Sequence, residues 1–289
     1  MSKALRYAYN TNGCTNHRLD DALDLMAAAG YDGVALTLDW HHLDPFARDW
    51  KDRTERLRQK LDAYGMGCVI ETGARFLLDP ISKHDPTLLH PEPAGRARRV
   101  AFLKRAVEIA AILNAETVSC WAGIKPASLT TADAHDYLLA GLREVLQFAR
   151  SMKVVLSLEP EPGMLIETNA DYDAVSEQLG EYQQELRLAL DLGHVWVTGE
   201  SEPAEAVERY ADRLGTVSIE GMNRGVHFHL PLHEGDMDIP PLVRALQRVQ
   251  FGGLVCVELS RESPRAHQAI PESIVFLRQV EQSLAKQTT

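Results

Sequence analysis

Short aliphatic runs alternate with longer amphipathic segments from one end of the chain to the other. Runs of this length, rich in Val, Ile and Leu, are typical of strands buried on both faces. The pattern predicts eight strands: LRYAYN (5–10), DGVALTLD (32–39), GCVIET (67–72), ETVSCW (116–121), VVLSLE (154–159), LRLALD (186–191), TVSIEG (216–221) and LVCVEL (254–259).

The segments between these runs have apolar residues three and four positions apart, which predicts helices with one buried face. In RRVAFLKRAVEIAAILNA the apolar face includes Val100, Leu103 and Val107. Several of these segments end at a glycine or asparagine just before the next strand, as in AAAGYDG, DAYGMG and LNAET. Such residues commonly end helices because they tolerate a left-handed backbone.

Eight strand–helix units in 289 residues predict a single α/β domain, a (β/α)8 TIM barrel over residues 1–289. The alternative is an open, doubly wound sheet. No G-x-G-x-x-G follows the first strand and no phosphate-binding G-x-x-x-x-G-K-[ST] is present, so the nucleotide-binding version of that fold is disfavoured. The barrel is the preferred fold.

Composition narrows the class of protein. Hydrophobic residues make up 45% and charged residues 25%, which are ordinary values for a globular protein. The net charge of −11 disfavours a nucleic-acid partner, and no apolar run approaches the roughly 20 residues that cross a membrane. The first residues lack the apolar segment of a signal peptide, and the four cysteines are far apart without a CxxC pair. We expect a cytoplasmic protein with reduced cysteines, no nucleic-acid partner, no membrane partner and a small-molecule substrate.

In a barrel, function belongs at the carboxyl ends of the strands. Three carboxylates, Glu159, Asp191 and Glu258, each directly follow a strand and would converge there. Carboxylates crowded together repel one another, and a divalent cation relieves that repulsion. The alternatives are that each one caps the following helix or pairs with an arginine. Glu161 competes with Glu159, since residues two apart on an extended chain share a face.

The segment GVHFHLPLHEGDMD (225–238) is unusually rich in titratable groups. His227 and His229 would project the same way from an extended chain, and His194 lies three residues after Asp191. The three histidines fit a zinc site with an open fourth position. Alternatively, they bind substrate hydroxyls or pack beneath the loop.

Other strand-end residues are candidate substrate contacts. Arg75 and Arg261, together with Lys83, are suited to a carboxylate or phosphate on the substrate, although they also fit ordinary solvated surface. The candidate substrate-binding residues are His42, Glu71, Arg75, Trp121, Glu161, Glu220 and Arg261.

The chain resembles the xylose-isomerase-like TIM-barrel superfamily, which includes sugar and inosose isomerases and epimerases and zinc endonucleases. The resemblance rests on Glu after strand 5, Asp-x-x-His after strand 6, H-x-x-x-x-E-G after strand 7 and Glu after strand 8. It implies a metal held by Glu159, Asp191 and Glu258 with a histidine on strand 7. This sequence has Ser218 at that last position.

The same resemblance implies the chemistry. In the related epimerases two glutamates on opposite faces of the substrate transfer protons, and the matching residues are Glu159 and Glu258. In the endonuclease branch an additional zinc is bound at positions matching His194, His227 and His229. Barrels of this superfamily often self-associate, so a homo-oligomer is among the expected partners.

The leading hypothesis is an isomerase or epimerase that requires a divalent metal (Mn²⁺, Mg²⁺ or Zn²⁺) and acts on a ketose or cyclitol ketone. One alternative is a zinc-dependent hydrolase of a small phosphoester. Another is a barrel that binds its ligand without turning it over, which the missing strand-7 histidine suggests.

Overall fold

The computed structural model describes residues 4–287. Its strands are β1 (Arg6–Asn10), β2 (Gly33–Thr37), β3 (Gly67–Glu71), β4 (Val118–Trp121), β5 (Leu156–Glu159), β6 (Leu186–Asp191), β7 (Leu214–Ile219), β8 (Gly221–Asn223), β9 (Val226–Leu230) and β10 (Leu254–Val257). Eight of them close into a parallel barrel in the order β1-β10-β7-β6-β5-β4-β3-β2, and β8 and β9 form a separate antiparallel hairpin. The prediction of a (β/α)8 barrel is confirmed.

Helices connect successive barrel strands and cover the outside of the barrel. They are α1 (Leu19–Ala29), α2 (Trp50–Tyr64), α3 (Pro93–Leu113), α4 (Thr131–Met152), α5 (Asn169–Gln178), α6 (Leu192–Thr198), α7 (Pro203–Arg209), α8 (Ile239–Arg248) and α9 (Ala266–Gln287). The sequence predicted that helices end at Gly30, Gly65 and Asn114. These residues directly follow α1, α2 and α3, and each has a left-handed backbone conformation. Among residues 4–287, no helix is both long and apolar enough to cross a membrane.

Alternation along the strands fixes which side chains enter the barrel. Ala8, Ala35, Val69, Leu254 and Cys256 form one buried apolar cluster. Ala8, Ala35 and Val69 each lie two residues before the last residue of their strand. Leu254 and Cys256 lie four and two residues before Glu258, which directly follows β10. The side chains at the mouth therefore share the inward face with this cluster.

The mouth layer consists of one residue from each barrel strand or the position just after it. It comprises Asn10, Thr37, Glu71, Trp121, Glu159, Asp191, Ser218 and Glu258. Strand register places Trp121 beside Glu159 and Asp191 beside Ser218. Parallel pairing thus brings together polar residues that are far apart in sequence.

Candidate active site

A cavity of about 400 Å³ opens at the carboxyl ends of the barrel strands. This volume is within the range of sites for small molecules, about 300–1,000 Å³. Ten of the predicted site residues line it: Glu71, Arg75, Trp121, Glu159, Glu161, His194, His227, His229, Glu258 and Arg261.

Asp191 combines a structural and a potential ligand role. Its Oδ1 accepts a 2.8 Å hydrogen bond from the backbone N–H of His194 and so caps α6. The helix-cap alternative therefore holds for this residue. Its Oδ2 is buried and receives no hydrogen bond from residues 4–287, but lies 3.6 Å from His194 Nε2. Burial opposes ionisation of Asp191, yet the adjacent His194 and His229 lower its pKa below the ordinary value.

His194 has its ring orientation set by a backbone carbonyl. Its Nδ1 donates to the carbonyl of Pro160 at 3.0 Å, which leaves the Nε2 lone pair available. That Nε2 lies 3.1 Å from Nε2 of His227. Burial lowers the pKa of both histidines, so they are neutral near pH 7 and able to bind a cation.

The β8–β9 hairpin brings the other two histidines to the mouth. His227 and His229 lie two apart on β9, and their ring centroids are 4.7 Å and 6.0 Å from that of His194. His229 Nδ1 donates to the carbonyl of Glu258 at 3.1 Å, which again leaves Nε2 available. The sequence predicted that these two imidazoles would project the same way, and both reach the cavity.

Two overlapping triads fit a divalent cation: His194 with His227 and His229, and His194 with Glu159 and Asp191. Within each triad the candidate ligand atoms all lie within 4.8 Å of one another. Zinc binds nitrogen at about 2.1 Å, so two ligands of one ion are about 3–3.5 Å apart. The 3.1 Å separation of the His194 and His227 nitrogens has this value. The fixed ring orientations and the orphaned carboxylate oxygen make the donor set suitable for a metal.

Glu258 belongs to neither triad. Its Oε1 accepts a 2.8 Å hydrogen bond from the side-chain amide of Asn12. Asn12 in turn is positioned by its own backbone N–H, which donates to the side chain of Asn10. Asn10, the last residue of β1, and Asn12 thus hold the carboxyl group of Glu258 at the cavity wall.

Burial and mutual repulsion perturb the carboxyl groups around the cavity. Burial, followed by the charge of Glu258, raises the pKa of Glu71 and of Glu161 to about 8. The same two causes raise the pKa of Glu159 well above its ordinary value. Carboxyl groups with raised pKa values in a cavity are suited to exchanging protons near neutral pH.

Glu220 does not line the cavity. Its side chain is fully buried beside Gly193 and Asp191, and neither of its oxygens accepts a hydrogen bond from residues 4–287. Burial and the neighbouring Asp191 raise the pKa of Glu220 well above its ordinary value. The expectation that Glu220 contacts substrate does not fit this placement.

His42 is also placed outside the cavity. It is 8% exposed, and its Nε2 lies 3.2 Å from the carbonyl of His17. Burial lowers the pKa of His42 to about 4, so it is a neutral, packed histidine. The expected contact with substrate does not fit, because the ring is buried against His41 and does not line the cavity.

One buried residue near the cavity has no sequence signal. Arg99 on α3 is fully buried, donates to the carbonyl of Thr72 at 2.8 Å and stacks 4.4 Å from the ring of Trp121. It supports the cavity wall from behind. In sequence it is one arginine among several in an amphipathic helix, so nothing marks it as buried. Phe228, which also lines the cavity under Arg261, was likewise not identified.

A closed parallel barrel with carboxylates and histidines at its mouth defines a TIM-barrel protein with a site suited to metal and small molecules. The chain belongs to the family described as Xylose isomerase-like TIM barrel, whose model matches residues 23–280.

Solved structures similar to this chain include sugar epimerases. A D-tagatose 3-epimerase-like protein has a TM-score of 0.79 at 17% identity, covering 99% of this chain and 100% of its own. An L-ribulose 3-epimerase has a TM-score of 0.76 at 19% identity, covering 99% and 97%. The IolI protein with a bound zinc atom has a TM-score of 0.76 at 16% identity, covering 96% and 98%.

Proposed function

We propose that this protein is a metal-dependent isomerase or epimerase of a small polyhydroxylated carbonyl compound, a ketose or a cyclitol ketone. The observation that carries the proposal is the placement of Glu159 and Glu258 at one cavity, beside residues that fit a cation. Membership of the family and the similarity to sugar epimerases support the same class of reaction.

Glu159 and Glu258 approach the cavity from different sides. They follow β5 and β10, which are three positions apart in the closed order of eight strands. A substrate carbon held between them would have one carboxyl group on each face. Removal of a proton by one and delivery by the other inverts that carbon, and transfer to the neighbouring carbon isomerises the carbonyl.

The residues proposed to hold the metal are Glu159, Asp191 and the histidines His194, His227 and His229. A divalent cation bound there supplies positive charge that polarises a substrate carbonyl and an adjacent hydroxyl. Glu258 lies in neither triad, and we assign it to proton transfer, where the amide of Asn12 holds its carboxyl group in place.

Replacing Glu258 tests the catalytic assignment. We expect Glu258→Gln to lower kcat by roughly 10²- to 10⁴-fold on a ketose panel, since an amide does not exchange the proton. Glu144→Gln, on the outside of α4, is the matched control and should retain full activity. Normal turnover by Glu258→Gln, with folding verified by circular dichroism, would refute the assignment.

Metal content tests the ligand assignment. Elemental analysis of the purified protein should find a divalent metal, and Asp191→Ala and His229→Ala show which triad holds it. His233→Ala is the matched control, because this histidine is in the same segment but its side chain is 57% exposed. Loss only in Asp191→Ala assigns the metal to the carboxylate triad, and loss only in His229→Ala to the histidine triad. Full metal content in both variants would contradict the ligand assignment.

The histidine triad favours a second candidate, a zinc-dependent hydrolase of a small phosphoester. Hydrolysis of p-nitrophenyl phosphate that is lost in His229→Ala, together with no epimerisation of any ketose, would establish it instead. A non-catalytic barrel would bind a polyol tightly and turn over neither class of compound.

A further inference from the structure

The cavity wall carries cations as well as carboxylates. Arg75 and Lys83 lie on the loop between β3 and α3, and Arg261 follows β10. Lys83 and Arg261 are exposed, whereas Arg75 is partly buried with 29% of its side chain accessible. The cations therefore lie nearer to solvent than the strand-end carboxylates.

Arg75 has hydrogen-bonding capacity that the protein does not use. Its Nε lies 3.5 Å from Oδ2 of Asp39, a long contact for an ion pair. Its Nη2 is buried and has no hydrogen-bond partner among residues 4–287. A buried donor without an acceptor is unfavourable, so the protein itself does not fully pair this guanidinium. The 29% of the side chain that is accessible lines the cavity, where a ligand can contact it.

Lys83 is brought to the same side of the cavity by the fold of the loop. The backbone N–H of His84 donates to the carbonyl of Arg75, which places Lys83 next to this arginine in space. His84 is fixed further by its Nδ1, which donates to the carbonyl of Gly73 at 2.7 Å. No carboxylate of the described chain lies within ion-pair distance of Lys83, although Glu161 acts on it from farther away.

The loop that presents these two cations has an uncommon backbone. Ala74 and His84 have left-handed φ angles of 51° and 68°. Within residues 4–287 the other non-glycine residues of this kind, Asn114, Lys153 and Gln250, lie at the ends of helices, where such angles are usual. Strained conformations away from helix ends persist where the surroundings enforce them, and they concentrate at functional sites.

We propose that the substrate carries an anionic group, a carboxylate or a phosphate monoester, which binds Arg75 and Lys83 while its polyhydroxylated carbonyl end faces the carboxylates. The assignment of the carbonyl end rests on the proposed function. The anion provides an acceptor for the accessible part of the Arg75 guanidinium and a charge partner for Lys83. A fork of guanidinium donors suits both kinds of anion.

The contrary reading is that the two cations only offset the negative charge of the cavity. In that case a neutral ketose would bind as well as an anionic one. Three ketoses that differ only at C6 separate these readings: D-fructose, D-fructuronate and D-fructose 6-phosphate. They also distinguish a carboxylate from a phosphate.

Isothermal titration calorimetry on the metal-free full chain, at low ionic strength and without phosphate buffer, measures the three affinities. We expect at least one anionic ketose to bind roughly 10- to 100-fold more tightly than D-fructose, as for one or two charged hydrogen bonds. Arg75→Gln and Lys83→Gln should each reduce this preference. Arg56→Gln makes the same change in charge on the outer surface of α2 and should leave it intact. Lys83 is exposed, so its variant tests the site without risk to folding.

Equal affinity for all three ketoses, or no binding of either anionic one, would overturn the inference. A preference that survives in both Arg75→Gln and Lys83→Gln, or that falls equally in Arg56→Gln, would also overturn it. Turnover of all three ketoses with the same kcat/KM would overturn the inference while the proposed function stands. Anion-dependent binding that requires Arg75, without turnover of any ketose or cyclitol ketone by the metal-loaded protein, would support the inference and contradict the proposed function.

Discussion

The raised pKa of Glu71 predicts a specific dependence of stability on pH. Burial and the charge of Glu258 raise this pKa from an ordinary 4.5 to about 8. The folded protein therefore holds a proton that the unfolded chain has released. Stability from this group is complete below about pH 4.5 and is lost as the pH rises through about 8. Removing the ionisable group should remove that loss.

The magnitude follows from the two pKa values. Between about pH 6 and about pH 9, a shift of this size corresponds to nearly 3 kcal/mol of lost stability at about 1.4 kcal/mol per unit. Glu71 and Glu258 share their repulsion, and water reaches part of the cavity, so we expect about 1–3 kcal/mol. Glu71→Gln should be less sensitive to pH than the wild type by this amount.

Urea denaturation of the metal-free protein, followed by circular dichroism at both pH values, measures the difference. Comparing the variant with the wild type cancels most of the contribution of the buried cysteines, because burial is the main cause of their raised pKa values and is the same in both proteins. Glu144→Gln, on the barrel exterior, should follow the wild type. Equal pH dependence of the wild type and Glu71→Gln would refute the reasoning, because the carboxyl group would then ionise as freely in the fold as in the unfolded chain.

Three further substitutions test how the site is built. Gly193→Ala would place a Cβ against the buried carboxyl of Glu220, and we expect chemical denaturation to show a loss of about 1–3 kcal/mol; an unchanged midpoint would contradict this packing. Asn12→Ala removes the 2.8 Å hydrogen bond to Glu258 and should lower kcat by roughly tenfold with the fold intact, whereas an unchanged kcat would argue against a positioning role. Thr168→Ala removes the capping box of α5 and should lower the free energy of unfolding by about 1 kcal/mol without affecting metal content. Loss of metal with an unchanged free energy of unfolding would contradict a purely structural role.

The barrel was predictable because its strands are simple in sequence. Each is a short aliphatic run followed by a polar residue, and a parallel strand covered by helices is apolar on both faces. The carboxyl ends of such strands must meet at one end of a barrel, so Glu159 and Glu258 could be assigned to one cavity without coordinates. The pairing of His227 and His229 followed from the two-residue period of an extended chain.

The sequence could not predict which of the polar side chains near strand ends line the cavity. Glu220 and His42 are polar residues near strand ends, like those that line the cavity, yet both are buried and neither lines it. Whether such a side chain enters the cavity depends on the local course of the loop and on its neighbours. Arg99 is the reverse case, since its burial depends on the carbonyl of Thr72 and the ring of Trp121, which only the folded barrel brings to it.

The strand-7 position supports the proposed role of the hairpin histidines. Ser218 lies level with Asp191 in the sheet, where the resemblance implied a histidine, and its short side chain offers no imidazole. Two residues later Glu220 occupies the buried space beside Asp191. The chain then turns through β8 and returns along β9, which places His229 where it helps to lower the pKa of Asp191 and where the carbonyl of Glu258 orients its ring. We infer that the hairpin supplies the imidazole that strand 7 lacks, so a metal bound there would also tie the hairpin to the barrel mouth.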